Sequence, residues 1–181
     1  EQYLTNISWA PDEKHIYIAV LNRGQNHMML NEYDATSGNF VHTLFEEKDS
    51  KYVEPLNPML FLKTNPKQFV WQSRKDGYNH FYLYNIDGTL VKQLTKGKWE
   101  VKADNGFNEK GDLLFFHANE QSPVNQDFYS VNVKTAEVKR LTYGNGFHTC
   151  VLDSRGNYFI DNYTNVTTPR EYNIINTTTK K

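Results

Sequence analysis

Few residues of this chain have the types and spacings that chemistry requires. No serine has glycine at both −2 and +2, so the strained strand-to-helix turn that presents a nucleophilic serine is not encoded. No Gly-x-x-x-x-Gly-Lys or Gly-x-Gly-x-x-Gly run is present to cradle phosphates. The six histidines stand at 15, 27, 42, 80, 117 and 148, and none forms His-Glu-x-x-His or another helical ligand spacing. The single cysteine, Cys150, allows neither an internal disulfide nor a cysteine-rich metal site, and its strand-like surroundings mark it as a small buried hydrophobe. Asp12, Asp76, Asp87, Asp112 and Asp153 fall in turns, where Asp bonds its own following backbone. Glu46-Glu47 adjoins a long connection and reads as solvated charge. His27 and His80 open equivalent strands, which points to a repeated structural role. The residues therefore imply no catalytic residue, no metal and no cofactor within this stretch.

The elements around them are strands. Of 181 residues, 38% are hydrophobic and 14% aromatic, with 12 Tyr and 11 Phe, a mixture suited to twisted sheets. The net charge of −1 provides no basic field for nucleic acid. No apolar run is long enough to span a membrane, and the first residues carry no signal-peptide pattern. Asn-x-Ser/Thr triplets at Asn6, Asn162, Asn165 and Asn176 arise readily in a chain this rich in Asn and Thr.

Four segments begin alike at Ile7, Phe61, Phe107 and Val151, spaced about 44–54 residues apart, the period of propeller blades. Each has a short apolar start, a polar turn, an aromatic strand, a third strand and a further turn. Ser73–Val101 shows the pattern best, with Asp-Gly turns at 76–77 and 87–88 on either side of the strand from His80 to Ile86. The expected fold is all-β: about four blades of four antiparallel strands, over residues 6–50, 59–95, 104–142 and 148–175. The fourth blade lacks its fourth strand, and residues 1–5 read as the tail of a preceding blade. Such a chain is either a part of a larger propeller or a closed four-bladed ring. An interrupted ring bares apolar sheet faces and is expected to self-associate as a homo-oligomer.

Ser73-Arg74-Lys75-Asp76-Gly77-Tyr78-Asn79-His80 resembles a blade segment of the prolyl oligopeptidase family. Leu94-Thr95-Lys96-Gly97-Lys98-Trp99-Glu100-Val101 is similar to the Leu-Thr-x-Gly-x-Trp-Glu-Val run of its dipeptidyl peptidase IV-like members. The resemblance covers essentially the whole chain. It implies the later half of an eight-bladed propeller that caps an α/β-hydrolase domain absent here. The whole enzyme would be a serine exopeptidase releasing dipeptides from peptide N-termini, with the propeller gating and orienting the substrate; the single Cys and the Asn-rich character of the chain fit a periplasmic or extracellular location. The family's paired glutamates lie upstream of this match, so Glu46-Glu47 does not inherit their role. The loop at 51–57 corresponds to one that borders the substrate cavity. It carries Tyr52 and Glu54, the candidate substrate-binding residues, but no arginine. The competing reading is a standalone, non-enzymatic propeller that binds protein partners. A third is a complete four-bladed carbohydrate-binding or lyase propeller.

Overall fold

The computed structural model describes residues 1–181, which form fifteen strands in four antiparallel sheets and no helix. With no helix, there is none long and apolar enough to cross a membrane. The chain divides into two compact units, Glu1–Gln93 and Leu94–Lys181, each holding two sheets.

In the first unit, one sheet comprises β1 (Gln2–Trp9), β2 (His15–Asn22), β3 (His27–Asp34) and β4 (Phe40–Lys48), paired in that order. The second comprises β5 (Leu60–Leu62), β6 (Asn65–Ser73), β7 (His80–Asn85) and β8 (Leu90–Gln93). Tyr17, Ala19, Leu21, Met28 and Leu30 of the first sheet share one core with Phe69, Trp71, Tyr82 and Tyr84 of the second. Residues alternate faces along a strand, so each sheet contributes one period-2 set to that core. Phe45 joins it by stacking on Tyr84 at 4.5 Å between ring centroids and meeting Trp71 edge-on.

In the second unit, β9 (Val101–Phe107), β10 (Leu113–Ala118), β11 (Asp127–Asn132) and β12 (Val138–Arg140) form a four-stranded sheet. The last sheet has three strands, β13 (Phe147–Leu152), β14 (Tyr158–Thr164) and β15 (Glu171–Asn176). Phe115, Phe128 and Leu141 pack against Cys150 and Phe159. Trp99 precedes β9 and stacks over Phe116 and Tyr129, which accounts for its burial.

Each turn from the third strand of a sheet is built alike. The Asp34, Asn132 and Asn176 side chains accept backbone N–H groups two and three residues on. A left-handed residue then closes each turn: Gly38, Ala136 and Lys180, with Gly88 taking that place after β7. At Gly88, φ is +84° and a Cβ would run into the Leu44 backbone, so this turn demands glycine on two counts.

Residues 1–5 are not the tail of a preceding blade. Gln2, Tyr3, Leu4 and Thr5 pair with Asn22, Leu21, Val20 and Ala19, which makes them the start of β1. A bulge with Asn6 in the left-handed region lets the strand continue past what sequence showed as its beginning. The third sheet repeats the device. Its first strand starts at Val101, ahead of the expected 104, with Gly106 left-handed at a register shift. In both bulges the preceding or bulged Asn reaches out of its own sheet: Asn6 donates to the Asn57 carbonyl in the connection before β5 at 2.7 Å, and Asn105 to the Cys150 carbonyl in the next sheet at 3.4 Å.

Candidate functional site

β4 runs into the long connection at 49–59, and the turn after β6 carries Arg74 and Lys75. Together they line a cavity of about 290 Å3 with Phe45, Glu46, Glu47, Tyr52, Glu54 and Tyr84 on its walls. Strand alternation separates the two glutamates. Glu46 is at the surface, where Lys48 at 2.7 Å and His27 at 2.9 Å hold its carboxyl below the ordinary range by hydrogen bonding. Glu47 turns inward, and burial pushes its carboxyl up, opposed by Ser73, the Lys75 charge and Trp71. Glu47 is therefore not the solvated charge that sequence suggested.

Lys75 is the matching cation. Its Nζ donates to the Tyr84 hydroxyl at 2.7 Å and lies 4.0 Å from the centroid of the Tyr82 ring. Burial lowers its pKa, while Glu47 and Asp76 act to raise it. Burial also raises the phenols of Tyr82 and Tyr84, so both remain protonated across the physiological range.

The sequence candidates Tyr52 and Glu54 both line this cavity. Tyr52 is 57% exposed, a ring on the rim. Glu54 Oε2 stands 3.5 Å from Arg74 Nε. The loop has no arginine of its own, but the neighbouring sheet supplies one. Sequence reading passed over Arg74 and Lys75 because they sit in a turn whose Asp-Gly chemistry already explained it. The cavity thus offers hydrogen-bond donors, acceptors and aromatic faces together, as recognition of an extended polar ligand requires.

The second unit holds a denser set of titratable groups with a structural geometry. His148 Nδ1 lies 2.8 Å from Asp161, and its Nε2 lies 3.8 Å from Asp127. Arg140 donates two bonds to Asp127 Oδ1 and one to the Gly144 carbonyl. Cys150 Sγ meets Asp161, not the imidazole, and burial raises its thiol pKa. A carboxylate beside the sulfur opposes thiolate formation, so this is not a nucleophile and its base. No group of three or more His, Cys, Asp or Glu is arranged to hold a metal ion.

Residues 1–170 match the family model of the dipeptidyl peptidase IV (DPP IV) N-terminal region. A dipeptidyl peptidase 4 of Trichophyton rubrum is 28% identical over 137 residues, 68% of this chain and 18% of that protein. A crystal structure described as a dipeptidyl aminopeptidase IV from Bacteroides ovatus superposes with a TM-score of 0.91 at 36% identity. The match covers 99% of this chain and 28% of that one. The Porphyromonas gingivalis dipeptidyl peptidase 4 structure shares the fold, with a TM-score of 0.86 at 22% identity over 99% of this chain and 25% of that one. The chain thus spans less than a fifth of that curated relative and about a quarter of the solved structures. Four blade-like antiparallel sheets, a family-model match over nearly their whole length and superposition on a dipeptidyl aminopeptidase IV agree: the chain belongs to the family of the dipeptidyl peptidase IV N-terminal region.

Proposed function

We propose that this chain is the propeller portion of a serine exopeptidase that releases dipeptides from peptide N-termini, and that it gates and orients the substrate without catalysing the cleavage. The family match over residues 1–170 carries the reading. The cavity at β4, the 49–59 connection and the turn after β6 gives it a physical basis, with Tyr52 and Glu54 contacting the peptide. Arg74 holds Glu54, and Lys75 with Tyr84 forms the polar wall. A periplasmic or extracellular location goes with this reading, and cell fractionation tests it. The standalone scaffold is less favoured, because the similar proteins are peptidases.

The test uses the full-length gene product that carries this segment, alongside the 181-residue chain itself. The full-length protein releases dipeptides from Gly-Pro peptides and the chain alone does not. In the full-length protein, Tyr52→Ala and Glu54→Gln raise KM for a tetrapeptide with little change in kcat. Dipeptide release by the chain alone, or its absence from the full-length protein, would overturn the assignment. Unchanged KM in both variants would remove the site.

A further inference from the structure

Four Asp-Gly or Asn-Gly dipeptides occur in the chain, at 76–77, 87–88, 105–106 and 145–146. In such a pair the glycine nitrogen, with no Cβ beside it, can reach the side-chain carbonyl carbon of the residue before. Attack there needs a side chain free to turn towards that nitrogen. It also needs an N–H that is not committed to an acceptor.

The fold withholds both at three of the four. Asp76 accepts from the Tyr78 N–H at 3.3 Å and from Gln93 Nε2 at 2.5 Å, and the Gly77 N–H donates to the Arg74 carbonyl at 2.7 Å. Asp87 accepts the Thr89 N–H at 2.8 Å, and the Gly88 N–H donates to the Asn85 carbonyl at 2.9 Å. A carboxylate is also a poorer target for a nucleophile than an amide. Asn105 is an amide, but its Nδ2 donates to the Cys150 carbonyl, and the Gly106 N–H donates to the Asp104 carboxyl.

Asn145-Gly146 differs on every count. It lies between β12 and β13, and Asn145 is exposed. The Asn145 side chain makes no hydrogen bond, and the Gly146 N–H has no acceptor. The carbonyls are held instead. That of Gly144 accepts from Arg140 at 2.6 Å, that of Asn145 from the Tyr163 hydroxyl at 3.0 Å, and that of Gly146 from the Gln126 N–H at 3.2 Å.

We propose that Asn145-Gly146 is a site of spontaneous covalent modification, at which Asn145 becomes aspartate and isoaspartate. A base in the solvent removes the Gly146 amide proton, and the nitrogen attacks Asn145 Cγ. A C–N bond forms and closes a succinimide. The side-chain amide takes a proton from water and leaves as ammonia. Water then opens the ring at either carbonyl, so that the net change is water in and ammonia out. In the isoaspartyl product the main chain runs through Cβ and Cγ. The carbonyl held by Tyr163 becomes a free carboxylate, and Gly146 stands one carbon further from it. Gly146 ties the start of β13 to Gln126, so the first residues of that strand are loosened.

The full-length gene product and the 181-residue chain are each aged at mildly alkaline pH and mapped by peptide mass spectrometry, with isoaspartate read by enzymatic methylation. Residue 145 turns to acid about tenfold or more faster than residue 105, the factor by which a hydrogen bond that must first open slows a reaction. In concentrated urea the two rates converge. Asn145→Gln abolishes the change at 145, and far-UV circular dichroism verifies its fold. The isoaspartyl form exchanges the amides of β13 faster than Asn145→Asp does. The proposal falls if, in either protein, residue 145 changes no faster than residue 105. It also falls if the difference persists in urea, which would place its cause in local sequence and not in the fold. Equal exchange in the two acid forms would remove the effect on β13.

Discussion

His117 joins the two sheets of the second unit, and that contact makes stability depend on pH. Its Nε2 accepts the Cys150 backbone N–H at 3.0 Å, which requires a neutral ring with the proton on Nδ1. The ring is buried against Phe128, at 5.0 Å between centroids. Burial lowers its pKa from 6.5 to about 4, with Asp161 acting to raise it and His148 to lower it. A protonated ring would lose the acceptor and leave a buried N–H without its partner. The folded-state pKa lies below the unfolded one, so the stabilisation is complete above pH 6.5 and is lost as pH falls towards 4. At about 1.4 kcal/mol per pKa unit, the full loss is about 3 kcal/mol, of which about 2 kcal/mol is gone at pH 5. Pulsed hydrogen exchange along a urea series, read on peptides from 101–152, measures the second unit separately. His117→Gln keeps an acceptor in roughly the same place and removes the titration. The native chain should lose about 2 kcal/mol more than this variant between pH 7 and pH 5. Equal losses in the two proteins, or a His117 ring that titrates near 6.5 by NMR, would refute the reasoning.

Other changes test the neighbouring contacts. Gly88→Ala forces a side chain into a left-handed turn and against the Leu44 backbone, and should destabilise the first unit by about 2 kcal/mol or more in urea unfolding. Arg140→Ala leaves the Asp127 carboxylate buried without the guanidinium that donates twice to its Oδ1. A loss of about 3–5 kcal/mol is expected, and a loss below about 1 kcal/mol would show that Arg140 is not the compensating charge. Cys150 should resist a thiol reagent at pH 8 in the folded chain and react on addition of denaturant, because burial beside Asp161 keeps it protonated.

The blades were legible because their determinants are local. Asp76-Gly77 and Asp87-Gly88 state where the chain turns, and His80–Asn85 alternates too little to be anything but a strand buried on both faces. Bulges obscured the strand starts. Asn6 and Gly106 insert a residue that breaks the period-2 pattern, so β1 and β9 looked shorter than they are. The site was half legible for a different reason. Tyr52 and Glu54 lie on one loop, and the family resemblance reaches that loop as a whole. Arg74 and Lys75 arrive from the turn after β6, about twenty residues on, and sequence does not say which blade's turn meets which blade's loop. Glu47 shows the limit most clearly. Two adjacent glutamates are one charge patch in the sequence, but on a strand they belong to opposite faces: Glu46 is ion-paired in water, and Glu47 is an inward carboxylate beside Lys75. A strand's pleat, not composition, decides which of the two meets solvent and which is buried beside Lys75.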